Sequence, residues 1–447
     1  MDLMLYRPNG RGMQIESEEE EKVGGIRGWI KGMASVAALS LVAAACGSGA
    51  SSASSAPANS QKPTGPIVVG ELLPMSGAEG FVGQWFDHGV KAGIEAVNAA
   101  GGVMGQKLTP VLEDTAGDPV DAVTAWQTLR LHNPKFIMGP SSLEIMGVIN
   151  DFQSAKIVDL MEGGTTQLDH MQYSYVYRLF PSDSALLAAE AYYALHNGCK
   201  RASLMYTSDA NAQAEVPPVV SAFTHNGGTL LQNVQLVAGQ SSYLTEVSKA
   251  FQGNPQCVFF HADPQTAATL FANVRQLGHM NVKFITGDTG ASIQLAQAMG
   301  LADASKYMTG MAAPAAYAQS YNAFLTAYQA VWHTNKPLPA SPAMYDGVVI
   351  AALAMTMAHS TNPQVWRADI TKVSNPPGVK VYTYQQGLAA LAKGEKINYQ
   401  GASGPEDFNK YHNVFSAFQV VQFNSAGQLR PIYSVTAPQV ASMYSKS

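Results

Sequence analysis

Short β-branched runs alternate with helical patterns along most of this chain, and the alternation breaks once and begins again. The first series opens with "PIVVGELLP" (66–74), then Phe86, Val90, Ile94 and Val97 at helical spacing, closed by Gly101 and Gly102. It continues with strand 107–114, helix 119–131, strand 135–140, helix 141–153 and strand 156–163. After "VYRLFPSDS" (176–184) the series restarts with a helix, then strand 201–209, helix 213–226, strand 229–237 and helix 242–253. Strand 257–263, helix 264–277, strand 283–288 and a helix from Ala291 follow. The rest reads as helical from Ser320 to His359, helical again near 383–393, and strand-like at 416–423 and 429–435. A strand that feeds a helix returns to its sheet by a right-handed crossover, so each series dictates a parallel sheet covered on both faces. The fold class expected is α/β, with two doubly wound parallel-sheet lobes.

What the chain lacks narrows its function. Charged residues make up 13% and the formal net charge is −5, with no basic stripe, which argues against nucleic acid as a partner. There is no G-x-S-x-G elbow, no H-E-x-x-H, no phosphate-binding G-x-x-x-x-G-K-[ST] loop and no C-x-x-C. The ten histidines are scattered without ligand spacing. No catalytic residue, metal site or cofactor is therefore expected, and the chain does not read as an enzyme. After the N-terminal region no run reaches the ~20 apolar residues of a bilayer span.

The N-terminal region carries its own instructions. Ala34–Ala45 is an apolar run of signal-peptide length, preceded by Arg27 and Lys31 and ending in three alanines before Cys46. "AAAC" resembles the lipobox of bacterial lipoproteins, which implies acylation of Cys46 and a lipid anchor; a plain signal peptide with an incidental cysteine is the alternative. "IESEEEEK" sets five glutamates where a signal peptide needs positive charge, so residues 1–22 read as an upstream mis-called start. Residues 1–45 form the signal region, and 46–65 the lipidated Cys and a Gly/Ser/Ala linker that holds a folded body off a membrane.

The segment 70–119, with "FIMGPSSLEIMGV", "YVYRLFPSDSALLAAEAYYAL", "VRQLGHMNVKFITGD" and "INYQGASGPEDFNKYHNV" in order after it, resembles the type I periplasmic binding proteins of the leucine/isoleucine/valine-binding family. These are the substrate-binding components of ABC importers. The resemblance implies two lobes joined by three crossovers that close on a small molecule: an amino acid, an amide or a small carboxylate. It places the crossovers near 180–185, 311–317 and 397–408. Lobe one is then 66–183 with 315–397, and lobe two 184–314 with 398–447. The partners implied are that ligand and a membrane ABC permease, for an exported, lipid-anchored monomer outside the cell membrane or in the periplasm. A ligand-sensing receptor subunit of the same fold is the alternative.

The same resemblance marks candidate ligand contacts, each with a plainer reading beside it. Ser141 and Ser142 sit where the family holds a ligand carboxylate, or simply cap a helix. In "EGGTTQ", Gly164 and Thr165 match a Gly/Ser-Ala-Thr turn that offers close backbone approach and a hydroxyl donor. Phe81 stands where the family often carries an aromatic over the ligand, or packs on the following helix. Asn211 replaces an aromatic that usually lies on the ligand, which leaves room for a more polar molecule than a branched-chain amino acid. Asp288, ending "KFITGD", corresponds to the acid that pairs with a ligand ammonium, or caps helix 291–299. Asp263 offers a contact or caps the helix at Pro264. Tyr345 opens a helix near the cleft or packs in the core. Cys199 and Cys257 each precede a strand of lobe two; in an oxidising compartment they form a disulfide or stand as separate thiols.

Overall fold

The computed structural model describes residues 65–77, 80–170, 172–313, 318–414 and 417–444. The signal region, Cys46 and nearly all of the linker lie outside these.

The strands in chain order are β1 (Ile67–Leu73), β2 (Leu108–Asp114), β3 (Phe136–Met138), β4 (Asp159–Met161) and β5 (Val176–Arg178), then β6 (Arg201–Thr207), β7 (Thr229–Leu236), β8 (Cys257–His261), β9 (Lys283–Ile285) and β10 (Met308–Ala312). β11 (Val379–Val381), β12 (Ile397–Tyr399), β13 (Phe418–Phe423) and β14 (Leu429–Val435) complete the set. The first five make a parallel sheet in the order β2-β1-β3-β4-β5. A seven-stranded sheet, β14-β13-β10-β9-β8-β6-β7, builds the second lobe. Its core is parallel, and β13 and β14 join antiparallel at one edge. The fold is α/β, with each sheet flanked by helices.

β1 shows why the sequence produces this arrangement. Six of its seven residues are buried, on both faces, which matches its unbroken apolar run in the sheet interior. Helix Gly80–Ala99 packs beside helix Ser341–Ala358, and glycines set the spacing. A Cβ on Gly89 would lie 2.3 Å from the Ser341 carbonyl oxygen, so only glycine allows this approach. Among the described helices, Ser341–Ala358 alone is long and apolar enough to cross a membrane, contrary to the sequence reading that nothing after the N-terminal region was; 78% of it is buried inside the first lobe.

Several elements differ from the sequence reading. The expected helix 320–359 is two helices, Ala318–Trp332 and Ser341–Ala358. Left-handed His333 and Ala340 bracket "TNKPLP", where Pro337 and Pro339 lack the N–H groups a helix needs. β5, β10, β11 and β12 were not read as strands; each has three to five residues, too few to display a period. The helix expected at Ser141 begins at Ile145, after a turn.

Three connections join the lobes: β5 to helix Asp183–His196, β10 to helix Ala318–Trp332, and β12 to β13. Tyr399, Ala402, Phe408 and Val414 are buried in the first lobe's core, so the chain stays with that lobe to about residue 414, beyond the expected handover at 398. In the second lobe β6 and β8 are neighbours, with Ala202 opposite Cys257. That register brings Cys199, just before β6, to Cys257, and the two are disulfide-bonded with Cα atoms 5.8 Å apart.

Candidate functional site

The parallel strands of both lobes end at one cleft, where loops leaving their carboxyl ends bring polar side chains together. β3 leads to Ser141 and Ser142, β4 to Glu162 and the turn 163–167, β6 to Asp209, and β9 to Asp288. His261 is the last residue of β8. These groups line a polar chamber of about 520 Å³. A larger, mostly apolar chamber of about 1190 Å³ shares Val82, Glu162, Phe180, Asp209, His261 and Asp288 with it.

On the first-lobe wall the two expected turns touch. The Thr165 N–H donates to Ser142 Oγ at 3.2 Å. Arg178, 1% exposed, lies beneath and donates to the Thr165 carbonyl and to Asp169, each at 2.7 Å. This arginine holds the turn in place and was missed in the sequence; its signal was a lone charge inside the apolar "VYRLF". Ser141 faces the chamber, but its backbone N–H is held by Glu144 Oε2 at 2.7 Å. The other Glu144 oxygen accepts from the Thr115 hydroxyl. Neither serine caps a helix: Glu144 precedes the helix and makes no side-chain cap.

Gly164 leaves room for the Asp183 carboxylate. A Cβ there would sit 1.8 Å from Asp183 Oδ1. The Asp183 N–H donates to the Gly164 carbonyl at 2.8 Å, so the first lobe-to-lobe connection is fastened to the turn after β4.

The second-lobe wall is acidic. Asp288 lines both chambers and does not cap the next helix, because Ser292 does. Glu215, from helix Ala210–His225, accepts from His261 Nδ1 at 2.8 Å. Burial alone would lower the His261 pKa, but the Glu215 bond and the charges of Glu215, Asp288 and Asp209 raise it. Burial, with the charges of Asp288 and Asp183, pushes the Glu162 pKa up to about 8. Asp183 rises to about 7, through burial first and then Glu215 and Asp288, against the opposing charge of Arg178. Glu162, Asp183, Asp209 and Glu215 carried no marking in the sequence reading; each is an ordinary acid until the fold gathers them.

The remaining candidates fall elsewhere. Phe81 is 55% exposed, meets Trp85 edge to face at 5.1 Å and lines only the larger chamber. Asp263 also lines that chamber, with its carboxylate capping helix Pro264–Gln276 through the Gln265 and Thr266 N–H groups. Tyr345 is 1% exposed, packs against Phe324 in the first lobe's core and reaches neither chamber, so its place as a ligand contact is withdrawn. It sits on the inner face of a helix buried nearly all round. The Asn211 side chain lies outside the described residues. Among the described residues no three His, Cys, Asp or Glu side chains converge closely enough to hold a metal ion.

The profile of the family described as "Periplasmic binding protein" matches residues 66–428. The chain is 23% identical over 383 residues to the chemotactic signal transduction system substrate-binding protein BasB of Halobacterium salinarum, covering 81% of this chain and 88% of that one. Among solved structures it is similar to the leucine binding protein LivK of Thermotoga maritima, with a TM-score of 0.66 and 18% identity over 83% of this chain and 99% of that one. It is likewise similar to the branched-chain amino acid transporter substrate binding protein LivJ of Streptococcus pneumoniae in complex with isoleucine, with a TM-score of 0.64 and 17% identity over 83% of this chain and 99% of that one. At these identities the structural likeness is one of fold.

Proposed function

The chain belongs to the periplasmic binding protein family, and from that premise we propose that it is the exported solute-binding component of an ABC importer, taking an amino acid or related small polar molecule between its lobes. The observation that carries this reading is the polar chamber, with Ser142 and Thr165 on the first-lobe wall and Asp288 on the second. Neutral donors suit a ligand carboxylate, and Asp288 suits an ammonium. The lobes close on the ligand, and the closed form is what a membrane permease would recognise. Ligand shifts that equilibrium only by its preference for the closed state. Cys46 carries the lipid that keeps a monomeric protein at the outer face of the membrane.

The test is a thermal-shift screen of the protein, freed of bound ligand by refolding, against amino acids, amides, urea and small carboxylates. A ligand at 100 times its Kd adds about 2.7 kcal/mol of stability, which is readily seen. A hit among α-amino acids is expected; hits restricted to molecules without an ammonium would take the ammonium contact away from Asp288. For the anchor, Cys46→Ser is expected to release the protein from the membrane fraction.

A second reading, a receptor subunit that reports ligand to a signalling partner, is supported by the likeness to BasB, a substrate-binding protein of a chemotactic system by name. Permease and ATPase genes beside this one favour import; a sensor gene favours signalling.

A further inference from the structure

The polar chamber gathers more carboxyl groups than a neutral amino acid can meet. Five carboxyl groups line it, from Glu162, Asp183, Asp209, Glu215 and Asp288. Among the described residues the one basic side chain on its wall is His261, already bonded to Glu215. Arg178 sits below the turn, bonded to Asp169 and Thr165. Behind Asp288, Glu190 is fully buried and neither of its carboxyl oxygens has a hydrogen-bond partner among the described residues. Its Oε1 lies against Gly287, and burial together with the charges of Glu215 and Asp288 raises its pKa, so the acids already ionised on this wall leave no room for another negative charge.

A zwitterion brings one ammonium and one carboxylate, so it leaves this balance where it was. Closing the lobes over it would withdraw the ionised acids from water and hold Glu162 in its protonated form, which is costly for the former without a counter-charge. A divalent metal ion is the wrong shape of answer, since no three acidic or imidazole groups converge on one point among the described residues. The acids are spread across both walls, which suits positive charges set apart along an organic molecule.

Resting on the reading that this cleft binds an amino acid, we propose that the amino acid has a cationic side chain, with its carboxylate at Ser142 and Thr165 and its second positive charge between Glu162 and the Glu215–Asp288 wall. Glu162 is the reporter. At pH 7 its pKa of about 8, set by burial and by Asp288 and Asp183, keeps it mostly protonated. A cation beside it favours the ionised form, so binding expels a proton.

The experiment is calorimetry of lysine, arginine and leucine with the ligand-free protein at pH 7, in phosphate and in Tris. These buffers differ in ionisation enthalpy, so proton release appears as a buffer-dependent heat. Lysine or arginine is expected to bind at least about tenfold more tightly than leucine, with proton release. Glu162→Gln is expected to weaken the cationic ligand about tenfold and to reduce that release, a larger loss than it causes for leucine. Tighter leucine binding without proton release overturns this inference while the amino-acid reading stands. Binding of none of the three overturns this inference, and the thermal-shift screen over the remaining amino acids, amides and carboxylates then decides the amino-acid reading. Lysine or arginine binding that Glu162→Gln leaves unaltered overturns the placement of the second charge.

Discussion

Arg178 and Asp288 show how differently two charged side chains act at one cleft. Arg178 is buried and spends its guanidinium on protein groups, the Thr165 carbonyl and Asp169. Replacing it with methionine leaves Asp169 without its partner and the turn unsupported. Arg178→Met is therefore expected to cost about 3 kcal/mol in chemical denaturation, the range for breaking a buried pair. Asp288 is exposed in the cleft and its carboxylate makes no cap, so Asp288→Ala should weaken a cationic ligand while leaving the unfolding midpoint within a degree or two. Unchanged affinity in calorimetry would remove Asp288 from the site. The raised acids also set a pH dependence. Glu162 and Asp183 hold protons in the folded state up to about 8 and about 7, well above ordinary carboxyl values. The folded state then binds more protons than the unfolded one between about pH 4.5 and 8, so ligand-free stability falls as pH rises through that window. Melting temperature should be some 3 °C lower at pH 8 than at pH 5.5, and Glu162→Gln should flatten part of that slope.

At the scale of elements, the third connection between lobes is latched to the first lobe by one carboxylate. Asp346, buried in helix Ser341–Ala358, accepts from the Tyr399 hydroxyl, the Ala402 and Ser403 N–H groups and the Ser403 hydroxyl. Burial raises its pKa to about 6, and those donors pull the other way. Asp346→Ala strands the Tyr399 hydroxyl and the Ala402 and Ser403 N–H groups, while the Ser403 hydroxyl keeps Glu406, and a loss of about 3 kcal/mol in denaturant unfolding is expected. In the second lobe the disulfide closes a loop across 58 residues, and chain-entropy arguments give it about 4 kcal/mol. Reducing it should lower the unfolding midpoint and leave ligand affinity nearly unchanged, since Cys199 and Cys257 lie at the end of β6 and β8 away from the cleft.

For the whole molecule the proposal is a hinge motion. Three connections restrict how the lobes move, and ligand bridging both walls favours the closed form. Small-angle scattering should show a smaller radius of gyration with ligand than without. An identical radius in both states would set lobe closure aside.

Much of this was legible in the amino-acid order. Strand-helix alternation, restarted after residue 184, specified two parallel-sheet lobes, because a crossover through a helix allows little else. Apolar period and turn glycines are local signals, and β1 and helix Gly80–Ala99 follow them closely. "GPSSLE" and "EGGTTQ" marked the first-lobe wall because loops that close approach requires are rich in Gly, Ser and Thr. What tertiary structure alone decided is the company each residue keeps. Tyr345 reads the same on a cleft-facing or a core-facing side of its helix; the packing of Gly89 against Ser341 turned that helix so that the ring went inward. Glu162, Asp183, Asp209 and Glu215 are 53 residues apart from first to last and carry no mark in their local sequence. Their shared field exists only where strand ends from two lobes meet, because electrostatic interaction depends on distance through space and not on separation along the chain.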